Sequence, residues 1–301
     1  MIDANSETLR LLFPQGQGGN NPAYHFGSQL LNWLAPEATG PVEQVAISVP
    51  NGDALRAENG IVARTALLEQ ADSARQLINK HRPDRLVVLG GDCLVDLAPF
   101  AYLNERYNGE LAVLWVDTHP DVITPNESEH GHTMVLGNLL GEGDAEFAAT
   151  VKRPVKPGNV MFAGRRDTST DFPAILAKET EMFDRLGLRT AGPEELADTS
   201  EPVLEWLRST GAKHLAIHFD LDVLDPRLFR SLLFSNPDPS VPSVDAYPSG
   251  RMTMAQIVRL LSDVSKVVDV VGLGITEHLP WDSLALKNML AKLPLIGTPA
   301  R

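Results

Sequence analysis

One cysteine in 301 residues, Cys93, excludes an internal disulfide, and the chain gives no sign of an oxidising compartment. Basic residues are scarce: 26 Lys and Arg against 39 Asp and Glu leave a formal charge of −13. That balance argues against nucleic acid or an anionic membrane as partner. No apolar run approaches the ~20 residues of a membrane span. The opening MIDANSETLRLLFP has early acids and no apolar h-region, so no secretory leader is expected and the cytoplasm is the default location. There is no internal repeat, no low-complexity tract and no composition shift, so one domain over 1–301 is expected.

What the chain does have is alternation. Apolar runs at 42–50, 84–91, 110–117, 159–164, 213–222 and 268–277 read as strands. Helical periodicity falls at 61–81, 97–107, near 193–209, at 253–267 with Thr253 as N-cap, and from about 282 to 292. Strand, helix, strand, with near-continuous apolar strands, predicts an α/β fold with a mostly parallel sheet covered on both faces. Ligands bind such sheets at the carboxyl ends of the strands. The Pro- and Ser-rich segment 231–251 has no period and reads as a binding loop or a solvated connection. PQGQGGNN (14–21) lacks the Lys-Ser/Thr and the strand context of a phosphate loop, and is rejected as one.

Three strands run into acids and histidines instead of quiet turns. LWVDTHPDV (114–122) carries Asp117, His119 and Asp121, whose spacing by two would put them on one side of an extended chain. LAIHFDLDVLDP (215–226) repeats the pattern with Asp220 and Asp222, and His218 shares their face. Asp225-Pro226 is ordinary turn chemistry. Buried carboxylates are paired or bound to metal, and an oxygen-rich donor set suits a hard or borderline ion such as Mn²⁺. Bridging carboxylates make two adjacent ions feasible. The third strand end is GGDC (90–93), which would turn Cys93 toward the same crevice. A lone buried thiol is otherwise a small hydrophobe.

GGDC, DTHPD and HFDLDVLDP, in that order, resemble the motifs GGDH, DAHxD and SFDxDxxDP of the ureohydrolases, the family of arginase, agmatinase and formimidoylglutamase. The resemblance runs from about residue 84 to the C-terminal helix. It implies a three-layer α/β/α sandwich, and hydrolysis of a guanidino or formimidoyl C–N bond by water activated at two Mn²⁺ ions. By that resemblance Asp117 and Asp220 would bridge the metals. Asp121 with Cys93, which replaces the family's first histidine, would complete one site, and His119 with Asp222 the other. The site holding Cys93 would bind Mn²⁺ more weakly, because thiolate prefers softer ions.

The same resemblance places the proton-shuttling histidine at His132, with His130 as competitor, and the guanidinium-receiving carboxylate at Glu277. Relatives are commonly homo-oligomers. Three positions depart from the pattern: Ile123 replaces an asparagine that helps hold the α-carboxylate of arginine, the segment after the third motif is longer, and His218 stands where Ser or Thr is usual. A strand repeat of two residues is roughly 6.6 Å, so His218 is expected to support the site rather than coordinate. Two other readings compete with an amidinohydrolase. One is a non-catalytic metal-binding relative, the other an amide deacetylase on the same sandwich.

Overall fold

The computed structural model describes residues 7–166, 173–238, 248–293 and 295. Its strands are β1 (Thr8–Phe13), β2 (Val42–Gln44), β3 (Ala57–Glu58), β4 (Ile61–Val62), β5 (Arg85–Gly90), β6 (Leu111–Val116), β7 (Val160–Ala163), β8 (Arg189–Ala191), β9 (His214–Asp220) and β10 (Asp269–Thr276). β3 and β4 form a small antiparallel hairpin. The other eight form one parallel sheet in the order β2-β1-β5-β10-β9-β6-β7-β8.

The sheet is buried on both sides, which is why β6 reads as an unbroken apolar run. Val113 and Trp115 face the helices Arg64–His81, Leu97–Arg106 and Val135–Leu140. Ala112, Leu114 and Val116 face the helices Glu201–Thr210 and Met254–Ser265. The fold is therefore the expected three-layer α/β/α sandwich. Thr253 caps its helix through a reciprocal capping box with Gln256.

Several boundaries move, each for a local reason. Only Val42–Gln44 of the 42–50 run pairs in the sheet. The first long helix begins at Arg64 because the hairpin occupies 57–62 and Ala63 takes a left-handed φ of 53°. The helix expected near 193 begins at Glu201 with Pro202 in its first turn, where a missing N–H costs nothing. The C-terminal helix runs from Trp281 to Leu290. Part of the 231–251 segment, 239–247, lies outside the described residues; before it, Leu233–Ser235 form a single 3₁₀ turn.

A candidate metal-binding cluster at the strand ends

Five neighbouring strands, β1, β5, β10, β9 and β6, deliver their carboxyl ends to one cleft of about 440 Å³. Local turns, not strand alternation, bring the motif residues together. Asp117 Oδ1 accepts from His119 N at 2.7 Å, and Asp220 Oδ1 from Asp222 N at 2.7 Å. Each aspartate thus folds its own strand end back, so that residues two apart meet. The extended geometry expected for 117–121 does not occur, since Asp121 sits at φ 51°. Glu277, at φ 64°, is likewise held in a region sparsely populated by non-glycine residues, as is common where a site fixes its side chains.

The sequence-predicted residues converge. Ligand atoms of Asp117, His119 and Asp222 lie within 4.8 Å of one another, as do those of Cys93, Asp117, Asp121 and His218, and those of Asp220, Asp222 and Glu277. Asp117 belongs to two of these groups. Cys93 Sγ lies 3.0 Å from Asp220 Oδ2 and 3.6 Å from Glu277 Oε1, so it faces the cluster. His119 Nδ1 lies 2.9 Å from Asp222 Oδ2, while its Nε2 meets the Pro248 carbonyl at 3.1 Å. His132 Nδ1 is 2.9 Å from Glu277 Oε1; His130 also lines the cleft, its ring centroid 6.1 Å from that of His132. His278 turns away to the Gly27 carbonyl, and Asp225 pairs with Arg227, as expected of residues without a role here.

Electrostatics favours a cation. Burial, then Asp220, Asp222 and Asp121, push the Asp117 carboxyl well above the usual range. Burial and the neighbouring Asp222 and Glu277 do the same to Asp220. The Cys93 thiol is pushed up by burial and by the surrounding carboxylates, so it is a thiol unless positive charge is supplied. Among the described residues lining the cleft there is no Lys or Arg. Asp121 Oδ2, Asp222 Oδ1 and His218 Nε2 are buried without a hydrogen-bond partner. Orphaned carboxylate and imidazole atoms in one buried place are the donor set that a divalent ion satisfies. The residues fit the metals that the resemblance implies.

A pH dependence follows. Burial lowers the pKa of His119, but Asp222 and Asp121 outweigh it and lift the imidazole to about 9. Its contribution to stability is full below the ordinary value of ~6.5 and lost as pH rises through about 9. The raised carboxyls act in the same direction, their contribution being full below ~4 and lost as pH rises. Metal-free protein should therefore melt lower at pH 9 than at pH 6.5, and Mn²⁺ should remove most of the difference. Melting curves in chelator and in Mn²⁺ test this; a chelated protein whose Tm is flat or rises over that interval would contradict it.

Sequence reasoning missed part of the site. The loop 14–21 and the first turn of the helix Ala23–Leu34 form one wall, with Gly19, Asn21 and Tyr24 lining the cleft. Gly91 lies so close to this loop that a Cβ would sit 1.7 Å from the Gln15 carbonyl oxygen. Asp92 secures it further, its backbone N–H donating to Gln15 O and its Oδ2 accepting from Gly19 N. The apolar β1 run TLRLLF was the available signal. Asp96 was also missed: its Oδ2 lies 2.7 Å from His218 Nδ1 in full burial. His218 itself lies closer to the site than a single-strand argument allowed, because its near neighbour is Asp117 on the adjacent β6 end, 3.8 Å away.

Comparison with known proteins agrees with this architecture. The arginase of Staphylococcus aureus is 30% identical over 143 residues, a stretch covering 46% of each chain, so the match spans about half the relative's length. The crystal structure of Entamoeba histolytica arginase in complex with L-ornithine superposes with a TM-score of 0.71 at 19% identity, covering 94% of this chain and 96% of that one. Formimidoylglutamase from Bacillus subtilis gives 0.59 at 15% identity, covering 92% and 81%. At such identities the structures speak for the fold. The model of the arginase family matches residues 44–281, which include every ligand and catalytic candidate named above. With the family motifs, the parallel sandwich and the strand-end cluster in agreement, the chain belongs to the arginase family.

Proposed function

We propose that this chain hydrolyses a C–N bond of a guanidino or formimidoyl-type small molecule with two divalent cations, Mn²⁺ in the first instance. The observation that carries the reading is the His132–Glu277 pair, 2.9 Å apart beside the buried carboxylate cluster. A relative that only bound metal would have no use for it. Asp117 and Asp220 would be shared by the two ions, Asp121 and Cys93 serving one, His119 and Asp222 the other. When bound, such ions lower the pKa of water and polarise the bond under attack.

The chain's own residues do the rest. Asp121 Oδ2, buried and unpartnered, orients the attacking water. Glu277 receives the planar N–H groups of the substrate cation. His132 gives its proton to the departing amine as the C–N bond breaks, while the water oxygen stays on carbon. Burial lowers the pKa of His132, but the Glu277 hydrogen bond and charge outweigh it and raise it to about 9, so it holds that proton at neutral pH. His132→Asn should lower kcat by ~10²-fold or less with metal content intact. If His130→Asn does so instead, the shuttle is His130.

Ile123, Ile175, Leu233 and Phe234 form an apolar wall of the cleft. An α-carboxylate there would lose its water without gaining a partner, which costs about 1–3 kcal/mol or more. Arginine should therefore be turned over with kcat/KM at least ~10-fold below that of guanidino compounds lacking a carboxylate. The test is a panel of Mn²⁺-loaded assays following urea, formamide and ammonia. Arginine as efficient as the best compound would refute the specificity, and no product from any compound would refute the function.

A further inference from the structure

We propose that His218 is a metal ligand. Its Nε2, set by Asp96, supplies to Asp117, Asp121 and Cys93 the imidazole that the family pattern places at position 93. The inference rests on the metal-hydrolase reading above and departs from the family's ligand set. The histidine has moved across the sheet, from the end of β5 to β9, and has not been lost.

The first support is an unmet need. His218 is 0% exposed and its Nε2 has no hydrogen-bond partner. Asp117 Oδ2, at 3.8 Å, is beyond hydrogen-bond reach. Yet an imidazole nitrogen of His218 lies within 4.8 Å of Cys93 Sγ and of carboxylate oxygens of both Asp117 and Asp121. A polar atom left unsatisfied in that position destabilises the fold unless something fills the gap. A divalent ion among these four groups would satisfy all of them.

The second support is the geometry behind the ring. Asp96 Oδ2 sits 2.7 Å from Nδ1, an arrangement that would hold the ring proton on Nδ1 and turn the Nε2 lone pair toward the carboxylates. A lone pair aimed at anions is unfavourable without a cation between them. A carboxylate behind a metal-binding imidazole is the usual way to fix ring orientation and raise ligand basicity.

The third support is how the sheet makes room. His218 is in register with Trp115 on one side and Gly274 on the other. Trp115 stacks on the imidazole, centroids 3.7 Å apart and planes 12° from parallel, and its Nε1 donates to Asp117 Oδ2 at 3.1 Å. At Gly274 a Cβ would lie 1.9 Å from Asp96 Oδ2, so the absent side chain is the space that the carboxylate occupies. Three adjacent strands and the turn carrying Asp96 are thus built around one ring.

The test uses the full chain, stripped with chelator and titrated with Co²⁺, comparing wild type, His218→Ser, Asp96→Asn and the double variant Cys93→His/His218→Ser. Bound Co²⁺ is measured after equilibrium dialysis. Paramagnetically shifted exchangeable imidazole N–H signals are counted by proton NMR, and folding is checked by circular dichroism. Wild type should bind roughly two ions. His218→Ser should weaken one of them ~100-fold and lose one shifted N–H signal, and Asp96→Asn should weaken it ~10–100-fold. The double variant, with imidazole back at position 93, should recover most of the loss. Two ions bound by folded His218→Ser with wild-type affinity would overturn the proposal while leaving the metal reading intact. If that variant does not fold, unchanged affinity in Asp96→Asn overturns it. A wild type that binds no Co²⁺ would overturn both.

Discussion

Asp117→Ala should bind no more than a trace of divalent metal and lose at least ~10³-fold in kcat/KM, equivalent to ~4 kcal/mol of transition-state stabilisation. Asp117 stands in both the His119–Asp222 group and the Cys93–Asp121–His218 group, so its loss removes a donor from each. Its geometry is set from several sides: Trp115 Nε1 reaches Oδ2, and the His119 backbone N–H holds Oδ1. The variant should nevertheless fold. Removing one carboxyl from a buried cluster that pushes its pKa upward relieves repulsion in the metal-free state. Its Tm in chelator should therefore match or exceed that of wild type at pH 8, while the rise in Tm on adding Mn²⁺ disappears. A variant that unfolds would point to a structural role, and one that keeps hydrolysis would end the shared-ligand model. Asp117→Asn separates charge from shape and should behave like the alanine variant.

Much of this site could be read from the chain because its candidate ligands lie in short segments. DTHPD and DLD each place their carboxylates within a few residues, DTHPD with an imidazole between them, and the strands that carry them are plain apolar runs. What could not be read depends on contacts between distant segments. Nothing local to Asp96 tells that it meets His218, 122 residues away. Nothing in PQGQGGNN tells that it packs on Gly91 and walls the cleft. Backbone conformation was equally hidden: Asp121 and Glu277 have positive φ, which neither residue type announces. Helix starts were misplaced where a tertiary element intervened, as the 57–62 hairpin did before Arg64. At Glu201 the signal was present, since Pro202 cannot sit inside a helix that begins at 193.

Gly274→Ala carries the second large effect, because the glycine's missing side chain holds the centre together. A methyl group there would lie 1.9 Å from Asp96 Oδ2 and 2.4 Å from its Cγ, so the carboxylate must leave. Asp96 is fully buried, and burial alone already pushes its pKa up, with His218 the partner that offsets this. Breaking such a pair leaves a buried imidazole and a displaced acid, worth about 3–5 kcal/mol. Urea or thermal unfolding should register that loss, whereas glycine-to-alanine at an accommodating site would stabilise by about 0.4–1 kcal/mol. A double-mutant cycle assigns the cause. On an Asp96→Ala background the steric conflict is gone, and Gly274→Ala should cost less than ~1 kcal/mol, leaving a coupling energy of several kcal/mol. Equal costs on both backgrounds would mean that the alanine strains β10 itself, and that the cavity at Gly274 has nothing to do with positioning His218. Where the coupling appears, the weaker Co²⁺ affinity of Gly274→Ala should match that of Asp96→Asn, because both act on the same ring.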